Sequence, residues 1–91
     1  MRESKRVVHE KPKTRVFIVD DHPVMRQGVA DLIQRESDLM VCGGAESAAE
    51  ALKAIEALKP DLAVVDLSLK NSSGMELIKD LQIRCPKVLI L

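Results

Sequence analysis

Three aspartates in the chain are placed to do chemistry together. Asp20 and Asp21 are adjacent in VFIVDDHP, and Asp66 ends the run LAVVD. Two carboxylates about 4 Å apart repel by about 4 kcal/mol at an effective dielectric of about 20. If the three converge, a proton, a basic partner or a cation must offset that repulsion. Oxygen-only ligands suit Mg²⁺, which keeps several waters and prefers one or two carboxylates with phosphate oxygens. A carboxylate beside such an ion is able to accept a phosphoryl group, the charge on the transferring oxygens being offset. Taken singly, the same residues have blander roles. Asp20 or Asp21 would cap a helix opening near Pro23, and Asp66 would be an ordinary residue after a strand.

The elements that would position these groups are legible in the hydropathy pattern. Val16–Asp20 is a β-branched, almost wholly apolar run, as expected of a strand covered on both faces. Pro23 pre-sets a helix start, and Met25, Val29, Leu32 and Ile33 follow at helical spacing through about Arg35. Leu39–Ala45 reads as a second strand. Ser47 and Glu50 form the S-x-x-E pattern of a capping box, opening a helix with Ala48, Leu52, Ile55 and Leu58 facing inward and Pro60 ending it. Leu62–Asp66 is a third strand, residues 70–73 a loop, and Gly74 precedes a helix with Leu77, Ile78 and Leu81 on one face. Lys87–Leu91 is a fourth strand. The alternation implies βαβ units with right-handed crossovers, a parallel sheet and a doubly wound α/β fold. In such folds the ligand crevice lies outside the carboxyl ends of the strands. Asp20, Asp21 and Asp66 meet there if the first and third strands are neighbours.

Ninety-one residues make one small domain. With 46% apolar and 31% charged residues, the composition argues against disorder. The apolar runs are strand-sized, so no membrane span is expected, and the start has no signal-peptide core. The expected location is the cytoplasm. Cys42 and Cys85 lack metal-type spacing and read as reduced thiols. Residues 1–15 carry Arg2, Lys5, Arg6, Lys11, Lys13 and Arg15 against Glu3 and Glu10, a net +4, which leaves −4 on the remainder. That start, without aromatics or helical pattern, reads as a basic flexible leader over residues 1–14 rather than as a nucleic-acid surface. His22 reads as a partly exposed loop or capping residue. The methionines read as core or loop filler, and Ser68, Ser72 and Ser73 as loop formers without a histidine–acid partner. Gly43–Gly44 matches no phosphate-cradling loop.

Residues 19–28, Val-Asp-Asp-His-Pro-Val-Met-Arg-Gln-Gly, resemble the opening of response-regulator receiver domains of the CheY-like fold, closest to those attached to a LuxR-type helix-turn-helix. Val65-Asp66, followed by Gly74-Met75-Glu76-Leu77, resembles the phosphoacceptor strand and the next helix of the same family. The resemblance covers about Arg15 to Leu91, and it implies a flavodoxin-like sheet of strand order 2-1-3-4. It also implies phosphorelay signalling. Asp66 would accept a phosphoryl group from a sensor histidine kinase, Asp21 would ligate Mg²⁺ directly, and Asp20 would act mainly through a water. The main-chain carbonyl of Ser68 would be a further metal ligand, with the Ser68 side chain placed to influence phosphate loss.

The chain departs from the family in two places. Lys70 stands where members often carry proline, and residue 91 is the last. The family's serine or threonine after the fourth strand, its fifth strand, its lysine and its last helix are not in the sequence. The expectation is therefore a receiver domain over residues 15–91, incomplete at its carboxyl end. Its exposed fourth strand would pair with a second copy, and the chain would not bind DNA directly or contact a membrane. It would be a signalling module rather than an enzyme, with at most slow autodephosphorylation. An alternative is a non-switching protein-binding module. A more distant one is a haloacid-dehalogenase-type phosphohydrolase, which usually has an acid two residues after the nucleophile, where this chain has Ser68.

Overall fold

A computed structural model describes residues 12–69 and 72–91. The leader through residue 11, and Lys70, lie outside the described residues. In chain order the elements are β1 (Thr14–Val19), α1 (Pro23–Gln34), β2 (Leu39–Ala45), α2 (Ala48–Leu58), β3 (Leu62–Val65), α3 (Gly74–Arg84) and β4 (Leu89–Ile90). The strands form one parallel sheet in the order β2-β1-β3-β4, the expected doubly wound, flavodoxin-like arrangement. β1 opens at Thr14, inside the expected leader, and stops at Val19, which leaves Asp20 just past the strand. Among the described residues no helix is long and apolar enough to cross a membrane.

Alternation along the strands sorts the two faces of the sheet. Phe17 and Val19 of β1 and Ala63 and Val65 of β3 join Ala51 and Ile55 of α2 and Leu77 and Leu81 of α3 in one buried core. Five of its side chains, Phe17, Val19, Ile55, Leu77 and Leu81, are almost wholly removed from water, as is Val16 on the opposite face. Burying such a side chain contributes about 1.5–3 kcal/mol, so this α2/α3 face is the chief source of stability. Cys42 is the extra residue where the β1–β2 register shifts: Val16 pairs with Val41, and Phe17 with Gly43. Both cysteines are free and half-buried.

α1 lies over the other face, and here the expected stripe shifts. Met25 and Leu32 are each 60% exposed, and no residue of α1 is fully buried. Val29 and Ile33 do turn inward, but Arg26 and Ala30 accompany them. Arg26 packs over Gly44, which pairs with Ile18 and faces α1 without a side chain. The aliphatic stem of Arg26 lies over it, with Cδ 3.4 Å from where a Gly44 Cβ would stand. A hydropathy reading does not count arginine as a packing residue, although its methylenes pack well. The same face is open beyond β1. Leu62 and Val64 are only partly buried, while Leu89 and Leu91 are 70% and 73% exposed.

Local chemistry sets the helix ends. Ser47 accepts the amide of Glu50 at 3.2 Å as the capping box requires, while the Glu50 carboxylate reaches one residue further back, to the amide of Glu46. Ser73, expected only as a loop former, caps α3 by accepting the Glu76 amide at 3.1 Å. At the far end of α2, Lys59 is left-handed (φ 50°) before Pro60. The guanidinium of Arg15 donates to the Leu58 and Lys59 carbonyls at 2.8 and 3.1 Å, satisfying acceptors that the helix leaves unpaired and placing a cation at its negative end.

Candidate acidic metal and phosphoryl site

Asp20 and Asp66 are the first residues past β1 and β3, which are adjacent. Backbone pairing holds both in place: the Asp20 amide donates to Ala45 O at 3.0 Å, and the Asp66 amide to Val19 O at 2.9 Å. The sheet therefore delivers the two carboxylates side by side, and Asp21 follows directly. One ligand atom from each of Asp20, Asp21, His22 and Asp66 lies within 4.8 Å of the other three. The sequence expectation that the three aspartates meet is realised in the geometry. The side chains of Asp20 and Asp21 are each 11% exposed and that of Asp66 is 24% exposed, so Asp66 is the carboxylate most open to a reaction partner.

Each group is oriented by its neighbours. Asp20 does not cap α1 as a helix N-cap; its Oδ1 accepts the His22 amide at 2.9 Å in a tight turn. His22 is the N-cap residue and its side chain makes no capping bond. Instead its Nδ1 stands 3.0 Å from Asp20 Oδ1, 3.0 Å from Asp21 Oδ1 and 3.8 Å from Asp66 Oδ2. Among the described residues Arg26 does not pair with a carboxylate. Its Nη1 donates to the main-chain carbonyl of Asp20, which ties the turn to α1. Asp66 Oδ1 accepts from the Ser68 amide at 2.9 Å and from the Ser68 hydroxyl at 2.7 Å. The Ser68 amide, and then its hydroxyl, hold the Asp66 carboxyl below the usual aspartate range, because hydrogen bonds to a carboxylate favour its charged form.

The loop after Asp66 is supported from two sides. A Cβ on Gly74 would lie 2.7 Å from Asp66 O and 2.9 Å from Leu67 Cα, so only glycine lets α3 start this close to the site. Ser72 accepts the Ala48 amide at 3.1 Å and joins the loop to the start of α2. An open cavity of about 610 Å³ sits over the cluster, with Asp20, His22, Asp66 and Ser68 on one side and Val24, Met25 and Gly28 on the other.

The donor set fits a small hard cation. An octahedral ion with bonds of about 2.1 Å places its ligands about 3.0 to 4.2 Å apart, and the cluster needs only slight contraction to reach that range. Two features of the site were not read from the sequence. The wedge of His22 between the carboxylates is one, although an Asp two residues before a His does signal a turn that brings the two together. The clamp of Arg26 on the Asp20 carbonyl is the other, and no residue pattern announces it.

Residues 16–91 match the response regulator receiver domain family. Over 72 residues the chain is 46% identical to the DNA-binding transcriptional activator DevR/DosR of Mycobacterium tuberculosis, covering 79% of this chain and 33% of that protein. It is 34% identical over 74 residues to the nitrate/nitrite response regulator protein NarL of Escherichia coli, covering 81% of this chain and 34% of that one. The chain thus spans about a third of the length of these curated relatives. Its fold superposes on a two-component response regulator of the LuxR family from Aurantimonas with a TM-score of 0.81 and 32% identity, covering 86% of this chain and 56% of the other. The match over residues 16–91, with the parallel order β2-β1-β3-β4 and the acidic cluster at the strand ends, establishes that this chain belongs to the receiver domains of two-component response regulators.

Proposed function

We propose that Asp66 is the phosphoacceptor, taking a phosphoryl group from a phosphohistidine of a sensor kinase with Mg²⁺ held beside it. The observation that carries this reading is the convergence of Asp20, Asp21 and Asp66, with Asp66 ionised and the most open of the three. Asp21 would ligate the ion directly, Asp20 mainly through a water, and Asp66 and the Ser68 main-chain carbonyl would complete the protein's share. Bound there, the cation would offset the charge on the transferring oxygens. The Asp66 carboxylate attacks phosphorus, the P–N bond to the donor imidazole breaks, and that imidazole leaves with the electron pair and takes up a proton. Ser68, through its amide and hydroxyl, holds Asp66 ionised and oriented for that attack. The exposed apolar side chains of Val24 and Met25 beside the cavity offer contact to the kinase domain that carries the phosphohistidine.

This makes the chain a signalling module rather than an enzyme, with the receiver unit running from Thr14, where β1 opens, to Leu91 and the residues before it as a basic leader. DNA binding and any transcriptional output are assigned to other parts of a longer regulator. The phosphohydrolase reading lacks support from the site: the position two residues after Asp66 is Ser68, whose hydroxyl is engaged with Asp66 Oδ1. The test is incubation with Mg²⁺ and a small phosphodonor such as acetyl phosphate or phosphoramidate, followed by intact mass and peptide mapping. One added phosphoryl group on Asp66, absent in Asp66→Asn and without Mg²⁺, is the expected result. A folded protein that stays unmodified would overturn the assignment.

A further inference from the structure

The turn that carries Asp20 and Asp21 is anchored from two sides, and one anchor is a side chain outside the acidic cluster. The Asp20 amide is taken by β2, through Ala45 O at 3.0 Å. The Asp20 carbonyl is taken by α1, through the Arg26 guanidinium, whose Nη1 donates at 2.6 Å. The main-chain amide of Arg26 also donates to His22 O at 2.9 Å, so a single residue grips the turn before and after Asp21. The Asp20 carbonyl and the Asp21 amide share one rigid peptide plane. Fixing that carbonyl therefore fixes the direction in which Asp21 leaves the strand end. We propose that Arg26 is a positioning residue for the cation site, acting through the Asp20–Asp21 peptide to hold both carboxylates ready for Mg²⁺.

The guanidinium is itself held. Arg26 is half-buried, and its stem lies over Gly44, with Cδ 3.4 Å and Nε 3.9 Å from where a Cβ would stand. Gly44 pairs with Ile18, two residues before Asp20, so the stem is packed on the same stretch of sheet that delivers the turn. A turn ordered before the ion arrives binds it more tightly, because binding need not order it. Charge acts in the opposite sense. A guanidinium near a dication repels it, so deleting Arg26 would by electrostatics alone tighten binding. Salt screens that repulsion and leaves the ordering effect in place.

This inference rests on the Mg²⁺ reading of the cluster, and the experiment separates the two. Mg²⁺ is titrated into the wild-type chain, Arg26→Met, Arg26→Lys and Asp21→Asn in about 0.5 M KCl, which screens the repulsion. Binding is followed by amide NMR shifts, and folding by far-ultraviolet circular dichroism. Methionine keeps an apolar stem over Gly44 without a donor, and lysine keeps the cation and a donor. Expected is half-saturation at about five- to tenfold higher Mg²⁺ in Arg26→Met, with Arg26→Lys in between. The Mg²⁺ needed for half-maximal phosphorylation of Asp66 should move by the same factor. A role in packing alone would lower the urea midpoint of Arg26→Met and leave half-saturation of the folded protein at the wild-type value. That result, or a lysine variant no tighter than the methionine one, would overturn the positioning role while leaving the metal site standing. If wild type binds Mg²⁺ no more tightly than Asp21→Asn, the metal reading falls and the positioning role with it.

Discussion

Glycine-to-alanine substitution at two positions should change stability in opposite directions, and the structure supplies both signs. At Gly74, the first residue of α3, an added Cβ would stand 2.7 Å from Asp66 O, 2.9 Å from Leu67 Cα and 3.4 Å from Asp66 C. All three are backbone atoms, so no rotamer change relieves them. Reaching ordinary contact requires the loop after Asp66 to retreat by about 0.7 Å, and overpacking of this kind costs about 1–3 kcal/mol. Alanine recovers up to about 1 kcal/mol of helix propensity, less at a helix terminus, which leaves a net loss of about 1–2 kcal/mol. At Gly28, inside α1, nothing lies within 4 Å of the added Cβ, so only the propensity gain remains, about 0.5–1 kcal/mol of stabilisation. With 91 residues the whole stability is about 5–14 kcal/mol, so both effects are measurable. Tryptophan and tyrosine are absent, so urea unfolding is followed by far-ultraviolet circular dichroism. At a slope of about 1 kcal/mol per molar urea, Gly74→Ala should lower the midpoint by about 1–2 M and Gly28→Ala should raise it by about 0.5–1 M. Two midpoints that move together, or a Gly74→Ala midpoint at or above wild type, would refute the close approach of α3 to the site loop.

Two further outcomes are expected. Lys59→Gly removes a side chain from a left-handed backbone position at the end of α2 and should stabilise by about 0.5–1 kcal/mol in the same unfolding assay; a loss would mean that the lysine side chain contributes more than its strain costs. In metal-free protein, the depressed Asp66 carboxyl contributes stability above the unfolded aspartate value, and loses it as pH falls through the lower folded value. Ser68→Ala removes the hydroxyl but keeps the amide bond, so carboxyl ¹³C titration should find Asp66 moved part of the way back toward the ordinary value. An unchanged titration would mean that the hydroxyl contact is not formed in solution.

Much of the site was legible because parallel sheets concentrate their information at the strand ends. Leu39–Ala45 is a strand with the expected bounds, and the apolar runs ending in Asp20 and Asp66 sit on neighbouring strands, which brings the carboxylates together. Periodicity was less informative for α1. Helical spacing says which residues share a side, but not what lies beneath that side, and the pairing that puts Gly44 under Arg26 is a long-range fact. Ala51 was missed as core for a related reason: its small side chain adds little to a hydropathy pattern, yet it is fully buried. Arg15 was counted as leader charge and proves to be the clamp on α2, a role set by tertiary proximity alone. The Ser73–Glu76 cap follows the S-x-x-E pattern of Ser47–Glu50 and was readable in the sequence.

The half-covered face of the sheet also shapes how this polypeptide responds to temperature. Unfolding raises heat capacity in proportion to the apolar surface it newly hydrates, and a chain of 91 residues would ordinarily show about 1.1–1.4 kcal/mol/K. Leu89 and Leu91 already meet water to a large degree in the folded state, and Leu62 and Val64 in part, so they add less than their full share to that increment. The stability curve of this chain is correspondingly shallow: a lower dome with gentler flanks, less sharply lost on heating and less weakened by cold than a sheet clothed on both sides.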